Sequence, residues 1–202
     1  MSLFIETIKI EYGELQHLDL HLQRMQNTCM EYYGKMKYLD DMRGHFKLSS
    51  KNKREKTKLT ISYDLEHHFF SSSPYYPRKI ETLVLIENND LDYHLKYADR
   101  SILEKYAQMA GYGNEAIIIQ NNRLTDATYA NIACWNGSEW HTPMYPLLKG
   151  TKRQFLLQTN QIVERDILVS DLKHYEKVSL INAMLDLGES TYDKKKICLY
   201  QK

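Results

Sequence analysis

Lys96-Tyr97-Ala98-Asp99-Arg100, then Leu124-Thr125-Asp126-Ala127-Thr128-Tyr129-Ala130-Asn131, then Leu147-Leu148-Lys149-Gly150-Thr151-Lys152-Arg153 are three short signals that follow one another within residues 95–153. Singly each is ordinary: a solvated lysine, an acid in a turn, a helix N-terminus. Their order and spacing decide the reading. Lys96 follows the apolar run Ile80-Glu81-Thr82-Leu83-Val84-Leu85-Ile86 and a polar connector. Residues 98–110 then read as a helix, so this lysine sits where the chain crosses from one unit into another.

Outward from Lys96 toward the N-terminus, 79–87 reads as a strand and Asn88-Asn89-Asp90 as the linker between two domains, 1–88 and 89–202. The β-branched alternation of 4–10 predicts a strand that turns at Tyr12-Gly13-Glu14 into a short second strand over 15–18. Leu22, Met25, Cys29 and Tyr33 recur at helical spacing between a capping Asp19 and Gly34. Residues 40–48 predict a second helix, 59–63 and 67–71 two antiparallel strands, and Ser72-Ser73-Pro74 a turn. Toward the C-terminus, Gly111-Tyr112-Gly113 ends the helix and 115–120 is a buried strand. Asn121-Asn122-Arg123 and Asn136-Gly137 are hairpin turns. Residues 153–157 form an amphipathic segment, and 162–169, 178–184 and 196–200 are further short elements.

At 202 residues and 43% hydrophobic content the chain holds a real core in one large or two small domains. The formal net charge is +1, from 27 Lys and Arg against 26 Asp and Glu, which gives no electrostatic case for nucleic acid or an anionic membrane. The basic run Lys51, Lys53, Arg54, Lys56 and Lys58 is broken by Glu55 and has no interleaved aromatic, so it reads as a solvated loop. Cys29, Cys134 and Cys198 form no CxxC pair, and adjacent His67 and His68 point to opposite faces of a strand, so neither disulfides nor a metal site is expected. A reducing cytoplasm suits this composition. No run approaches a membrane span, and residues 1–10 lack the basic-then-apolar pattern of a signal peptide.

An amine, an acid and an anion-binding turn are what pyridoxal 5′-phosphate needs: a Schiff-base partner, a carboxylate on the pyridine nitrogen, and donors for the phosphate. Lys96 is the candidate amine, and Arg24 or Lys152 the nearby cation that would bring its basicity toward neutrality. Asp126 is the candidate acid. Gly150-Thr151-Lys152 opens a helix whose first N–H groups point outward with the positive end of the dipole behind them.

On these residues the chain resembles the fold-type IV pyridoxal-phosphate enzymes, or class IV aminotransferases, which include 4-amino-4-deoxychorismate lyase and the branched-chain and D-amino-acid aminotransferases. The resemblance runs from Phe4-Ile5-Glu6-Thr7 and His21-Leu22-Gln23-Arg24 through the three signals to Leu180-Ile181-Asn182-Ala183-Met184. It implies an α/β (α+β) fold of two domains, like that of D-amino-acid aminotransferase, with the cofactor between them. It implies Lys96 as the Schiff-base lysine and Arg24 as a phosphate ligand. Asp126 stands where the family has a pyridine-binding glutamate, and Asn131 where an asparagine closes the same motif. Thr151 and Lys152 fall at the family's Ile-Thr, and Asn182 and Ala183 where a second loop reaches the phosphate.

Two departures stand out: Asp for Glu shortens the acid by one methylene, and Lys152 replaces a hydroxyl with a cation. The compact chain and the Lys-x-x-x-Arg pattern from Lys96 to Arg100 are more similar to the lyase than to a branched-chain aminotransferase. The expected activity is therefore formation of 4-aminobenzoate and pyruvate for folate synthesis, with Thr7 or Tyr97 as groups that could protonate the departing fragment. An aminotransferase and a non-catalytic cofactor-binding member of the fold are the alternatives. The resemblance also implies a homodimer acting on a small-molecule amino substrate.

Overall fold

The computed structural model describes residues 3–35 and 56–200. The helix expected over 40–48, and Lys51, Lys53 and Arg54 of the basic run, lie outside the described residues. The chain falls into two compact units, residues 1–76 with 95–99, and residues 77–94 with 100–202.

The first unit is an antiparallel sheet of β1 (Phe4–Glu11), β2 (Glu14–Leu15), β3 (Thr57–Tyr63) and β4 (His68–Pro74), in the order β2-β1-β3-β4. Its helix, α1 (Leu18–Tyr33), lies over the sheet, and Met25 and Cys29 join Phe4, Ile8, Ile10, Leu59, Ile61, Tyr63 and Leu95 in one core. The antiparallel register sets Phe4 opposite Tyr63, Glu6 opposite Ile61, Ile8 opposite Leu59 and Ile10 opposite Thr57, and the period of two puts all of these on one face of the sheet. Full burial of the apolar side chains among them contributes about 1.5–3 kcal/mol each. Gly34 ends α1 at φ 67, a left-handed C-cap whose N–H returns to the Met30 carbonyl at 2.9 Å.

Three details differ from the local pattern. The helix starts at Leu18, behind His17 at φ 54, so Asp19 lies in the first turn and faces the positive end of the dipole instead of capping it. The second strand is cut to two residues by that early start. Pro74, expected in a turn, closes β4, an edge strand where a missing N–H costs no ladder bond.

The second unit holds two sheets. One is β5 (Thr82–Glu87), β6 (Asn114–Gln120), β7 (Arg123–Ala127) and β13 (Ile197–Leu199), in the order β13-β5-β6-β7. The other is β8 (Asn131–Trp135), β9 (Trp140–Pro143), β10 (Val163–Arg165), β11 (Lys177–Asn182) and β12 (Leu185–Asp193), in the order β10-β9-β8-β11-β12. Strands β5 and β6 run parallel and are joined through α2 (Ser101–Ala110), since a parallel pair needs a crossover that no tight turn can supply. Consecutive Leu83, Val84, Leu85 and Ile86 are all buried, as in a strand covered on both faces. Asn121 and Asn122, both at positive φ (50 and 62), form the expected hairpin turn between β6 and β7. A further helix, α3 (Thr151–Gln158), packs Leu156 with Ala133, Ile162 and Ile181.

Compactness draws its division elsewhere than at residue 88. Strand β5, read as the end of the first domain, pairs with β6 in the second unit, and Asn88 donates to the Ile119 carbonyl at 2.9 Å. Residues 95–99 return to the first unit. The nine-residue β12 is not foreshadowed by local pattern, because Leu-Asp-Leu-Gly-Glu-Ser-Thr-Tyr-Asp is polar and interrupted by glycine.

Candidate active site

In the first unit, Lys96 belongs to a segment that extends the edge of β1. Ile5 donates its backbone N–H to the Lys96 carbonyl at 3.0 Å, and Ala98 donates to the Leu3 carbonyl at 2.8 Å. Leu95 is buried in the core on one side of Lys96, and the Tyr97 ring lies 5.5 Å from that of Phe4 on the other. The lysine's backbone is thus held between two anchored neighbours.

The same unit holds a cluster of charged groups. Glu6 is fully buried, on the same alternating face of β1 as Phe4 and Ile8. Arg24 donates through Nε to Glu6 Oε1 at 2.7 Å and through Nη2 to Oε2 at 2.6 Å, and His21 Nδ1 meets Oε2 at 2.7 Å. Burial alone would raise the Glu6 pKa; the charge and bonds of Arg24, with the bond from His21, outweigh it and hold the carboxyl at about 2. Burial pushes the His21 imidazole below its ordinary value. The bond to Glu6 opposes that shift, while the charges of Arg24 and Lys96 add to it. A neutral imidazole bonded in this way donates its Nδ1–H to the carboxylate.

In the second unit, Asp126 is the penultimate residue of β7 and is 3% exposed. Its Oδ1 accepts the Asn131 side-chain amide at 2.7 Å and its Oδ2 accepts the Leu148 N–H at 2.8 Å. Asn131 also donates to the Leu148 carbonyl at 2.8 Å, so it ties the start of β8 to the loop before α3. Burial raises the Asp126 pKa to about 6, against the pull of the Leu148 and Asn131 bonds and the charge of Arg153. No cation forms an ion pair with Asp126 among the described residues.

Gly150 follows this loop. A Cβ there would stand 1.9 Å from Asn131 Oδ1, and with φ at −67 the need is for space, not for a special torsion. Thr151, Lys152 and Arg153, the first turn of α3, are all buried. Lys152 Nζ bonds Asp186 Oδ1 at 2.5 Å, and Arg153 Nη2 reaches the Pro143 carbonyl at 2.9 Å and Glu164 Oε1 at 2.6 Å.

Asn182 ends β11, and its Oδ1 accepts the N–H groups of Met184 and Leu185 at 2.8 and 3.0 Å, which shapes the turn through Ala183 into β12. Its amide donates to the Tyr129 carbonyl at 3.1 Å. The preceding residue, Thr128, receives Arg100 Nη2 on its carbonyl at 2.8 Å and gives its N–H to the buried Glu115 at 2.8 Å. The loop between Asp126 and Asn131 is therefore held from three sides.

Within the second unit the fold thus gathers Asp126, Asn131, Gly150, Thr151 and Lys152, with the Asn182-Ala183 turn linked through Tyr129. Within the first it gathers Lys96 and Arg24. Nothing local in the sequence marks Glu6 or His21 as partners of Arg24, or Asp186 as the partner of Lys152. For Glu6 the pattern signals burial alone: it is the one acid on the apolar face of an alternating strand.

The family model described as amino-transferase class IV matches residues 3–188. An uncharacterized protein of Haemophilus influenzae is 32% identical over 180 residues, covering 89% of this chain and 96% of that protein. A solved structure from Haemophilus somnus, provisionally named a 4-amino-4-deoxychorismate lyase, is 30% identical with a TM-score of 0.86, over 93% of this chain and 98% of that one. A hypothetical aminotransferase of Mycobacterium tuberculosis, bound to α-ketoglutarate and PMP, shares the fold at 15% identity with a TM-score of 0.80, over 97% of this chain and 81% of that one.

Proposed function

The chain belongs to the amino-transferase class IV family of enzymes, and within it we propose a pyridoxal 5′-phosphate enzyme that cleaves 4-amino-4-deoxychorismate to 4-aminobenzoate and pyruvate. The observation that carries the cofactor reading is Asp126. A buried carboxyl raised to about 6, with only neutral N–H donors on its oxygens, is short of a cation, and a protonated pyridine nitrogen is one. A carboxylate can accept about four hydrogen bonds, so a further donor has room.

When bound, pyridoxal phosphate supplies an aldehyde for an amine and a ring that accepts negative charge from the substrate Cα. Asp126 would hold the proton on the ring nitrogen, and Asn131 and Leu148 keep its carboxylate aimed. Lys96 would hold the aldehyde, then take and return protons at the substrate once its amine is released. Arg24, Thr151 and the first turn of α3 would take the phosphate, with the charge of Lys152 moderated by Asp186.

The lyase assignment is supported by the Haemophilus somnus structure, of nearly the same extent as this chain and 30% identical to it. The test is incubation of the protein and pyridoxal phosphate with aminodeoxychorismate alone. Pyruvate and 4-aminobenzoate should form together over many turnovers with no oxo acid present. Turnover of an amino acid only when a 2-oxo acid is added would make the enzyme an aminotransferase instead.

A further inference from the structure

Strand β1 makes two attachments on consecutive residues. Ile5 bonds the backbone of Lys96, and Glu6, the next residue, takes the guanidinium of Arg24 in a two-point fork. Two parallel N–H bonds fix the plane of an arginine head, where one would leave it free to rotate. Because Nε and Nη2 are the atoms turned to Glu6, Nη1 lies on the side away from it. The Glu6 side chain is fully buried and the Arg24 side chain keeps 15% of its surface exposed, so the fork lies in the interior of the unit, where its two bonds are shielded from competing water. His21 closes the arrangement as a third donor on the same carboxylate. Arg24 and His21 share α1, and this cluster lies near enough to Lys96 for the ammonium's charge to act on the His21 ring.

We propose that Glu6 is the positioning residue of Arg24: it orients the guanidinium so that the edge away from β1 meets the cofactor phosphate, at a separation from Lys96 set by the register of that one strand. This rests on the reading of Arg24 as a phosphate ligand. The opposite role for Glu6 is simple neutralisation of Arg24, which would weaken its pull on an anion. The two roles predict opposite signs when the carboxylate is removed.

The experiment measures the dissociation constant for pyridoxal phosphate by visible absorbance, with visible circular dichroism of the bound cofactor as the orientation readout, in wild type, Glu6→Gln, Glu6→Asp, Arg24→Ala and the Glu6→Gln/Arg24→Ala double variant. Positioning predicts about tenfold weaker binding in Glu6→Gln and an altered dichroic band. Glu6→Asp keeps the charge but shortens the arm, and should weaken binding as well, which covers the case of a glutamine variant that does not fold. The double variant should bind no more weakly than Arg24→Ala alone, because Glu6 acts through Arg24. Tighter or equal binding in Glu6→Gln, or an equal loss on the Arg24→Ala background, overturns the proposal while leaving Arg24 a ligand. Unchanged binding in Arg24→Ala removes the phosphate reading of Arg24, and the role of Glu6 with it.

Discussion

Asn131 and Gly150 fit together so closely that a single added carbon on residue 150 would fall 1.9 Å from the Asn131 amide oxygen. Asn131 has nowhere simple to go, since its amide is committed to Asp126 and to the Leu148 carbonyl. Gly150→Ala should therefore displace Asn131 and cost about 1–3 kcal/mol of stability, the usual scale of overpacking. Denaturant unfolding measures it. Shortening the partner in Asn131→Ala should make the second change nearly neutral, and strict additivity of the two would show that they do not press on one another.

Asp126 should leave a signature on the pH dependence of the cofactor-free protein. Its carboxyl titrates near 6 in the fold, against an ordinary value of 3.8, because burial disfavours the charge. The folded state therefore binds more protons across that window, so stability falls as pH rises from about 3.8 to about 6 and then levels. The scale is about 3 kcal/mol, since each pH unit that separates the folded and unfolded titrations is worth about 1.4 kcal/mol. Asp126→Asn should remove this slope in unfolding curves taken from about pH 4 to pH 7. With cofactor bound, the same variant should keep much of its affinity and lose most of its turnover, as the uncharged ring accepts electrons poorly. Wild-type turnover in Asp126→Asn would make this residue only a loop acid.

Lys96 is expected to carry the cofactor covalently. The purified protein should be yellow, and borohydride should bleach it while adding the cofactor's mass to the peptide that contains Lys96. Lys96→Ala should show neither the colour nor the added mass. A colourless wild-type protein that gains no band with pyridoxal phosphate would remove the lyase and the aminotransferase readings together.

Lys152 is bonded to Asp186, and the pair makes a matched test of the phosphate site. Lys152→Ala should weaken cofactor binding by about tenfold, the scale of one charge-assisted hydrogen bond. Asp186→Asn removes the competing carboxylate and should hold or tighten binding by up to about threefold. Equal weakening in both variants would mean that the pair serves α3 and β12 rather than the phosphate.

What the sequence determined by itself was whatever depends on close neighbours along the chain. Alternation in β1 and β3, the helical spacing of Leu22, Met25, Cys29 and Tyr33, the left-handed asparagines at 121 and 122 and the Gly-Thr start of α3 each arise from torsions and hydrogen bonds within a few residues. The order of Lys96, Asp126 and Gly150 was legible for the same reason. Only the tertiary structure decided which charges meet. Arg24 finds Glu6 across 18 positions and Lys152 finds Asp186 across 34, and each pairing joins a helix residue to a strand residue that only the fold brings within reach. It also decided that β5 joins β6 and that residues 95–99 return to β1, because strand partners are chosen by which edges remain to be bonded and which apolar faces remain to be covered, and neither is visible in a local stretch of chain.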